Sequence, residues 1–221
     1  MDFLEHAKKE VVKTLYDCNG IKISKEEEPF QLKGGVVSPM FCDASVLENT
    51  VETRGRVVSA LLFWMNTVCG NVNAVVGVAS GGISWATSLA NSRCLPLIRA
   101  HSVPKDHGLC NQIDGQIPFD GANVVVIDDI ITSGHSVLSV VEALREGKDG
   151  KKANVLAVFS IFDWDFPSVN QKFEEANVTK YHVTDFDTVL KYGFEHQLFS
   201  EDSSENTRFS ERIARFCEDF R

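Results

Sequence analysis

The chain alternates between apolar runs and segments with the periodicity of amphipathic helices. From residue 74 onward the apolar runs include AVVGVA, LPLIRA, NVVVIDDI and NVLAVFSIF, and the helical patterns between them include ISWATSLANS and HSVLSVVEALREG. Strands that are apolar along their whole length are buried on both faces, which is typical of parallel strands joined by helical crossovers. The pattern therefore predicts an α/β fold with a doubly wound, mainly parallel sheet.

Further elements are predicted before and after this regular region. Helical periodicity predicts helices at about residues 2–18 and 46–68 and a closing helix at about 199–221. Between the first two helices, EEEPFQLKGGVVSPMFCDAS carries a Gly-Gly pair and alternating apolar positions, which predict a hairpin or an irregular strand pair. With no internal repeat, the 221 residues fit one domain, with an N-terminal hood segment (about 1–45) and a ligand-binding core (about 70–185).

Composition excludes several classes of protein. The net charge of −9 argues against a nucleic-acid-binding protein that relies on bulk positive charge, although a local basic patch can still hold a small phosphorylated ligand. The six cysteines lie far apart without metal-ligand spacing, so we predict reduced thiols and no zinc site. No apolar run approaches the roughly 18 residues of a membrane span, and the start is not that of a signal peptide. We therefore expect a cytoplasmic protein without membrane contact.

The most informative stretch is VVVIDDIITSGHS at residues 124–136, where an apolar strand is expected to end at Asp128 and Asp129. Such carboxylates often cap the next helix, but a cap needs one acceptor, and here two carboxylates precede small and hydroxylated residues. Small residues with a glycine let backbone N–H groups converge on an anion at a helix N-terminus. The carboxylates instead suit hydrogen-bond donors, such as ribose hydroxyls, or a cation. The stretch thus favours a phosphorylated sugar.

This stretch resembles the signature of type I phosphoribosyltransferases, which bind 5-phosphoribosyl-1-diphosphate (PRPP). The resemblance implies that Asp128 and Asp129 hold the ribose hydroxyls and that the following loop wraps the 5′-phosphate. The loop residues are Thr132, Ser133, Gly134, His135 and Ser136. The resemblance also implies a magnesium ion (Mg2+), carried by PRPP and diphosphate without a direct protein ligand.

Further segments resemble the orotate branch of that family, so that the resemblance runs from about residue 30 to residue 163. In FQLKGGVVSPMF, Lys33 and Phe41 match the lysine and the aromatic residue that approach the base and the diphosphate. In GVASGGISWA, Gly81 and Gly82 match the loop whose backbone approaches the diphosphate. Orotate and PRPP are therefore the expected substrates.

The segment KDHG at residues 105–108 opens a polar stretch that resembles the mobile lid loop of orotate phosphoribosyltransferases. In that branch the lid closes over the active site of the neighbouring subunit, where its lysine and histidine touch the diphosphate. The resemblance assigns these catalytic contacts to Lys105 and His107. It also implies a homodimer with shared active sites.

Two positions depart from the orotate pattern. The branch usually has a closely spaced Arg-Lys pair before the lid lysine, whereas this chain reads IRAHSVPKDHG, and Arg99 takes the place of the arginine only if the alignment slips. In SIFDWDF, Trp164 follows Asp163 where an arginine commonly contacts orotate, and it either stacks on a base or packs beneath the lid. We count Arg99, Asp163 and Trp164 among the predicted substrate-binding residues. A transferase for another base, or a PRPP-sensing regulator that binds nucleic acid, is the alternative.

Overall fold

A computed structural model describes residues 2–103, 112–199 and 203–220, and within them a short 3-10 helix covers Ala44–Glu48. The α-helices of these ranges are α1 (Asp2–Asp17), α2 (Val51–Val68), α3 (Gly82–Arg93), α4 (His135–Glu146), α5 (Pro167–Glu175), α6 (Phe186–Glu195) and α7 (Ser203–Phe220). The strands are β1 (Ile21–Ile23), β2 (Phe30–Gln31), β3 (Val37–Ser38), β4 (Met40–Cys42), β5 (Ala74–Val78), β6 (Leu97–Ala100), β7 (Ile113–Asp114), β8 (Ala122–Ile131), β9 (Ala153–Asp163) and β10 (Lys180–Asp185). Of these helices, none has the length and apolar character that crossing a membrane requires.

Six strands form one sheet in the order β10-β9-β8-β5-β6-β7. Neighbouring strands are parallel except for β7, which runs antiparallel to β6 at the edge. Every residue of β5 is buried, and most of β8 and β9 is buried as well. Burial on both faces explains why these strands are uninterrupted apolar runs in the sequence. The predicted fold class is confirmed.

The strand order reverses between β5 and β8. From β5 the chain passes through α3 to β6 on one side, and from β8 it passes through α4 to β9 on the other side. Because parallel crossovers are right-handed, two crossovers in opposite directions place α3 and α4 on opposite faces of the sheet. A ligand crevice opens where the carboxyl ends of two such strands diverge. The Gly-rich loop after β5 and the acids of β8 both lie there.

The β1–β4 segment, residues 21–42, lies between α1 and the 3-10 helix. Strand β1 pairs with β4 and β2 pairs with β3, both in antiparallel fashion. In the turn between β2 and β3, Gly34 and Gly35 have φ angles of 82° and 80°, in the left-handed region that other residues rarely adopt. The predicted irregular strand pair is therefore present, and its turn depends on the Gly-Gly sequence.

Helix α2 begins later than the periodicity predicts. The predicted helix at about 46–68 is divided into the 3-10 helix and α2, and Thr50 caps α2 by accepting a hydrogen bond from the backbone N–H of Thr53 at 3.1 Å. Apolar spacing does not reveal the break because the apolar positions continue through it. Helices α1 and α7 agree with the two predicted terminal helices to within a few residues.

Candidate active site

The carboxylates of Asp128 and Asp129 lie at the crevice between β5 and β8. Strand β8 continues past them to Ile131, because its pairing with β9 extends that far, which corrects the expected end of the strand. Each carboxylate accepts a hydrogen bond from the next backbone N–H. The distances are 3.0 Å from Asp129 N to Asp128 Oδ1 and 2.8 Å from Ile130 N to Asp129 Oδ1. The backbone of the strand thus orients both side chains.

Asp128 is buried, with an exposure of 7%. Burial raises the pKa of its carboxyl well above the ordinary value, and the negative charge of Asp129 raises it further, whereas the positive charge of Lys33 acts in the opposite direction. A carboxylate in this environment is stabilised by a ligand that brings hydrogen-bond donors or positive charge. The vicinal hydroxyls of a ribose have that chemistry.

The loop 132–134 connects β8 with α4. Gly134 has a φ of 74°, and a Cβ there would lie 3.1 Å from an aromatic ring, so both the backbone and the packing favour glycine. The backbone N–H groups of the first helical turn have no partner within the helix, and no side chain caps α4. A narrow cleft beside them, which we call the phosphate cleft, is lined by Lys33, Asp128 and residues 130–137. This arrangement of free N–H groups suits a phosphate.

The predicted sugar-phosphate residues are thereby brought to one cleft. They are Asp128, Thr132, Ser133, Gly134, His135 and Ser136. The last two are already the first residues of α4, so the helix begins within the predicted loop.

The turn between β2 and β3 lies over the loop 132–134. A Cβ on Gly34 would lie 2.6 Å from the Cβ of Ser133, so the two segments approach more closely than a larger residue would allow. The neighbouring Lys33 lines the phosphate cleft and also a second cavity beside it. Lys33 therefore borders both, and its positive charge acts on Asp128.

The second cavity, which we call the base cavity, has a volume of about 240 Å³. Its walls come from the β1–β4 segment, the 3-10 helix and the carboxyl ends of β8 and β9. The lining residues are Gln31, Leu32, Lys33, Phe41, Cys42, Asp43, Ala44, Ser45, Asp129, Ile130, Thr132 and Trp164. Apolar walls with a few charged groups are typical of sites for small ring-shaped ligands.

Several lining residues of the base cavity escaped the sequence reasoning, notably residues 42–45. They follow the predicted Phe41 directly, and Asp43 caps the 3-10 helix by accepting a hydrogen bond from the backbone N–H of Ser45 at 3.1 Å. An acid two residues before a serine is typical of a helix cap, and its position next to a predicted site residue indicates that the capped helix borders the site. Burial raises the pKa of the Cys42 thiol, and the charges of Asp43 and Asp129 add to this effect, so the thiol is neutral.

Trp164 forms one wall of the base cavity. Its exposure is 3%, and its ring centroid lies 5.1 Å from that of Phe186 and 5.8 Å from those of Phe166 and Phe216. The tryptophan therefore packs against an aromatic cluster, while part of its surface faces the cavity. Trp164 thus belongs to the core and also forms part of the cavity wall.

Gly81 and Gly82 bring the loop after β5 into contact with β8. A Cβ on Gly81 would lie 2.0 Å from Asp129 Oδ2, and a Cβ on Gly82 would lie 2.2 Å from the carbonyl oxygen of Ile127. The φ of Gly81 is −65°, which any residue can adopt. Lack of space, and not backbone conformation, therefore requires glycine at this position.

Among the predicted substrate-binding residues, Arg99 and Asp163 lie away from both cavities and also make no contact with Asp128 or Asp129. Arg99 lies in β6 opposite Asp114 with its side chain exposed, and it lines neither the phosphate cleft nor the base cavity. The carboxylate of Asp163 is fully buried and pairs with Lys180 and with His182, the latter at 3.7 Å. The expected ligand contact of Asp163 is thus replaced by an internal ion pair.

Asp163 belongs to a cluster of charged side chains between α1, β9 and β10. His182 Nε2 lies 3.4 Å from Asp185 Oδ2, and Lys8 of α1 pairs with the same carboxylate at 2.5 Å. Burial alone would lower the pKa of His182, but the negative charges of the nearby Asp163 and Asp185 carboxylates outweigh it and raise the pKa to about 9. The histidine is therefore charged at neutral pH in the folded protein.

We expect His182 to make the stability depend on pH. Its folded-state pKa of about 9 exceeds the ordinary value of 6.5, so its stabilisation is complete below pH 6.5 and is lost as the pH rises through 9. The difference corresponds to at most about 3 kcal/mol. Urea unfolding between pH 6 and pH 9.5 should show a steeper loss of unfolding free energy for the wild type than for His182→Gln. Parallel profiles for the two proteins would contradict the assignment.

The predicted lid residues Lys105 and His107 fall within residues 104–111, which lie outside the part of the chain that the structure describes. Their assignment rests on the sequence alone.

Comparison with known proteins decides the family. A model of the phosphoribosyl transferase domain matches residues 52–155. The orotate phosphoribosyltransferase of Cytophaga hutchinsonii is 31% identical over 194 residues, which cover 88% of this chain and 90% of that protein. The chain belongs to the orotate phosphoribosyltransferase family. In this family member the match to the domain model includes the glycine loop and the acids at the crevice.

Two solved structures are similar in fold to this member of the orotate phosphoribosyltransferase family. The UMP synthase of Leishmania donovani has a TM-score of 0.75 at 18% identity, and the match covers 95% of this chain and 42% of that one. The orotate phosphoribosyltransferase of Aeropyrum pernix has a TM-score of 0.69 at 24% identity, covering 82% of this chain and 98% of that one. Both likenesses support the sheet topology described above.

Proposed function

We propose that this protein is an orotate phosphoribosyltransferase, which transfers the 5-phosphoribosyl group from PRPP to orotate and yields orotidine 5′-monophosphate and diphosphate in de novo pyrimidine biosynthesis. The observation that carries the proposal is that Asp128 shares a cleft with the free N-terminus of α4, while the adjacent Asp129 lines the neighbouring base cavity. A ribose with a 5′-phosphate satisfies both halves of this site at once.

The proposed binding mode follows from the two cavities. The ribose hydroxyls donate hydrogen bonds to the two carboxylates, and the 5′-phosphate accepts them from the loop 132–136. The diphosphate lies beside the loop of Gly81 and Gly82, where the backbone approaches β8. The base occupies the base cavity between Phe41 and Trp164. Lys33 lies between the two cavities and can therefore serve both ligands.

The reaction breaks the bond between the anomeric carbon and a diphosphate oxygen, which leaves as diphosphate, and forms a bond from that carbon to a ring nitrogen of the base, which releases its proton to water. Positive charge develops on the ribose ring and negative charge on the leaving group. Asp128 and Asp129 orient the ribose and favour its cationic character, while Lys33, Lys105 and His107 neutralise the departing charge. Fixed charges that are preorganised in this way stabilise the transition state. A closed lid would keep water away from the reactive carbon.

Magnesium fits this site as a partner of the substrate. Over the ranges that the structure describes, no group of three or more His, Cys, Asp or Glu side chains could hold a metal ion. Mg2+ is commonly bound through one or two carboxylates together with substrate phosphates. We propose that PRPP and diphosphate would carry the ion near Asp128 and Asp129, where it would supply positive charge to the leaving group.

The experiment that tests the function is a panel of bases. The protein is incubated with PRPP and Mg2+, and diphosphate release is followed with orotate, uracil, adenine, guanine and hypoxanthine. We expect release with orotate only. One observation favours a second candidate, a transferase for another base, because Trp164 stands where the orotate branch commonly has an arginine. Release with another base, and none with orotate, would replace the proposed function with that candidate.

We further propose a cytoplasmic homodimer in which the lid of each subunit serves the site of its partner. Mixing a Lys105→Ala variant with an Asp128→Asn, Asp129→Asn variant should then restore activity. Random exchange makes about half of the dimers hybrid, each with one intact site of two, so the ceiling is roughly a quarter of wild-type turnover. No recovery after demonstrated subunit exchange would mean that the lid acts within its own chain.

A further inference from the structure

Helix α7 has a buried stripe that sequence analysis left without a role. Phe209, Ile213 and Phe216 have exposures of 4%, 7% and 5%, and their spacing places them on one face of the helix. At one end, Phe209 packs against Phe199, with ring centroids 4.6 Å apart. At the other end, Phe216 packs against the aromatic cluster that contains Trp164. The helix thus packs against the body of the protein along this stripe, from Phe209 at one end to Phe216 at the other.

The Phe216 end of α7 lies directly behind a wall of the base cavity. Trp164 lines the base cavity and also a small cavity of about 50 Å³ that Phe216 and Cys217 line. The backbone of Trp164 is fixed by a hydrogen bond from its N–H to the carbonyl of Ile131 at 3.0 Å. Its ring is held instead by contacts with neighbouring rings. Phe216 therefore limits how far the Trp164 ring can move away from the base cavity.

A second contact joins α7 to the β1–β4 segment. The Arg212 guanidinium donates hydrogen bonds to the carbonyl oxygen of Ser24 at 2.7 Å, to Ser24 Oγ at 2.5 Å and to the carbonyl oxygen of Lys25 at 3.2 Å. Ser24 N–H in turn donates to the carbonyl of Pro39 at 2.9 Å. Arg212 thus attaches α7 to the β1–β4 segment, which supplies Phe41 and other residues of the base cavity.

We propose that α7 is a positioning element for the base cavity, in which Phe216 sets the place of Trp164 and Arg212 sets the place of the β1–β4 segment. The inference rests on the proposed function for the identity of the base. The two contacts of α7 lead to two walls of the base cavity. The phosphate cleft is formed mainly by β8, the loop 132–134 and α4, and the β1–β4 segment reaches it only through its turn at Lys33 and Gly34. Loss of the two α7 contacts should therefore affect the base more than PRPP.

The test compares two variants with matched controls on the same helix. Phe216→Leu and Arg212→Gln should raise the KM for orotate about tenfold, because small displacements of positioning groups weaken ligand contacts strongly. The kcat, and the Kd for PRPP from titration calorimetry, should stay within about twofold of wild type. Phe209→Leu removes a buried ring two helical turns before Phe216, and Arg208→Gln removes an exposed charge one turn from Arg212. Both controls should keep the wild-type KM, and Arg212→Lys should recover part of the loss.

A second readout does not depend on turnover. The chain has three tryptophans, so the fluorescence of Trp164 is obtained by subtracting the emission of the matching Trp164→Phe variant from that of each protein. Its quenching by acrylamide is then measured. We expect several-fold stronger quenching in Phe216→Leu and no change in Phe209→Leu. An unchanged KM and unchanged quenching in Phe216→Leu would overturn the proposal, as would an equal rise of KM in Phe209→Leu. If the wild type transfers nothing to orotate, the proposed function fails, and the quenching result still decides whether Phe216 positions Trp164.

Discussion

Replacing Asp128 and Asp129 together with asparagine is expected to lower turnover by roughly a thousandfold or more, since one preorganised electrostatic contact contributes on the order of a hundredfold. Asparagine keeps the size of each side chain and one oxygen acceptor, but it removes the negative charge that faces the developing cation. The ribose hydroxyls lose one acceptor at each position as well. The measurement is kcat for diphosphate release with orotate at saturating PRPP.

The same double variant should be more stable than the wild type. Burial and the neighbouring acid raise the pKa of Asp128, so the ionised carboxyl costs folding free energy at every pH above its unfolded value. A neutral side chain at this position avoids that cost. Asp149→Asn, an exposed change in a turn with φ of 52°, serves as a control that should leave both quantities unchanged. A double variant that is destabilised, or that loses less than tenfold in turnover, would show that the acids support the fold and not the reaction.

The double variant is thus expected to gain stability and to lose turnover, a combination that is common when functional residues are replaced. Charged groups that are held together in a buried crevice weaken the fold, and they persist where a ligand or a transition state uses them. The ion cluster of Asp163 differs in this respect, because Lys180 and His182 neutralise its charge from within the protein. Both sites contain buried carboxylates. The charge of Asp163 is neutralised by residues of the protein, whereas the charges of Asp128 and Asp129 are available to a ligand.

The sequence predicts the elements whose pattern is local. The apolar runs that become β5, β8 and β9 are recognisable because burial on both faces leaves no polar position to interrupt them. The hydroxylated loop after Asp129 is equally local, since its residues follow one another in the chain. By contrast, β7 has two residues, and so short a strand carries no periodicity.

The parts of the site that depend on distant segments could not be predicted in this way. Asp163 pairs with Lys180, which lies on the neighbouring strand 17 residues later. The sequence around Asp163 contains no pattern that predicts this ion pair. Arg99 faces solvent because Ile98 and Ala100 point inward, and the parity of a short strand is set by its tertiary contacts. The contact of Phe216 with Trp164 likewise joins segments that only the folded chain brings together.

Gly81→Ala is expected to lower turnover about a hundredfold with little change in stability, because it displaces one preorganised charge. The φ of −65° at this position suits alanine. The added methyl group, however, would lie 2.0 Å from Oδ2 and 2.2 Å from Cγ of Asp129, so the carboxylate must rotate away from its place. A short side chain at the crevice can do this without moving the strand. The measurements are kcat with orotate and the free energy of unfolding in urea.

Gly82→Ala is the matched comparison for this glycine pair. Its methyl group would lie 2.2 Å from the carbonyl oxygen of Ile127, and a strand carbonyl in the sheet cannot rotate away. This variant should therefore lose both turnover and stability, the latter by about 2 kcal/mol or more. In an Asp129→Asn background, Gly81→Ala should lower turnover little further, because the charge that it displaces is already gone. If the two losses multiply in full, Gly81 acts through the diphosphate-facing loop and not through Asp129.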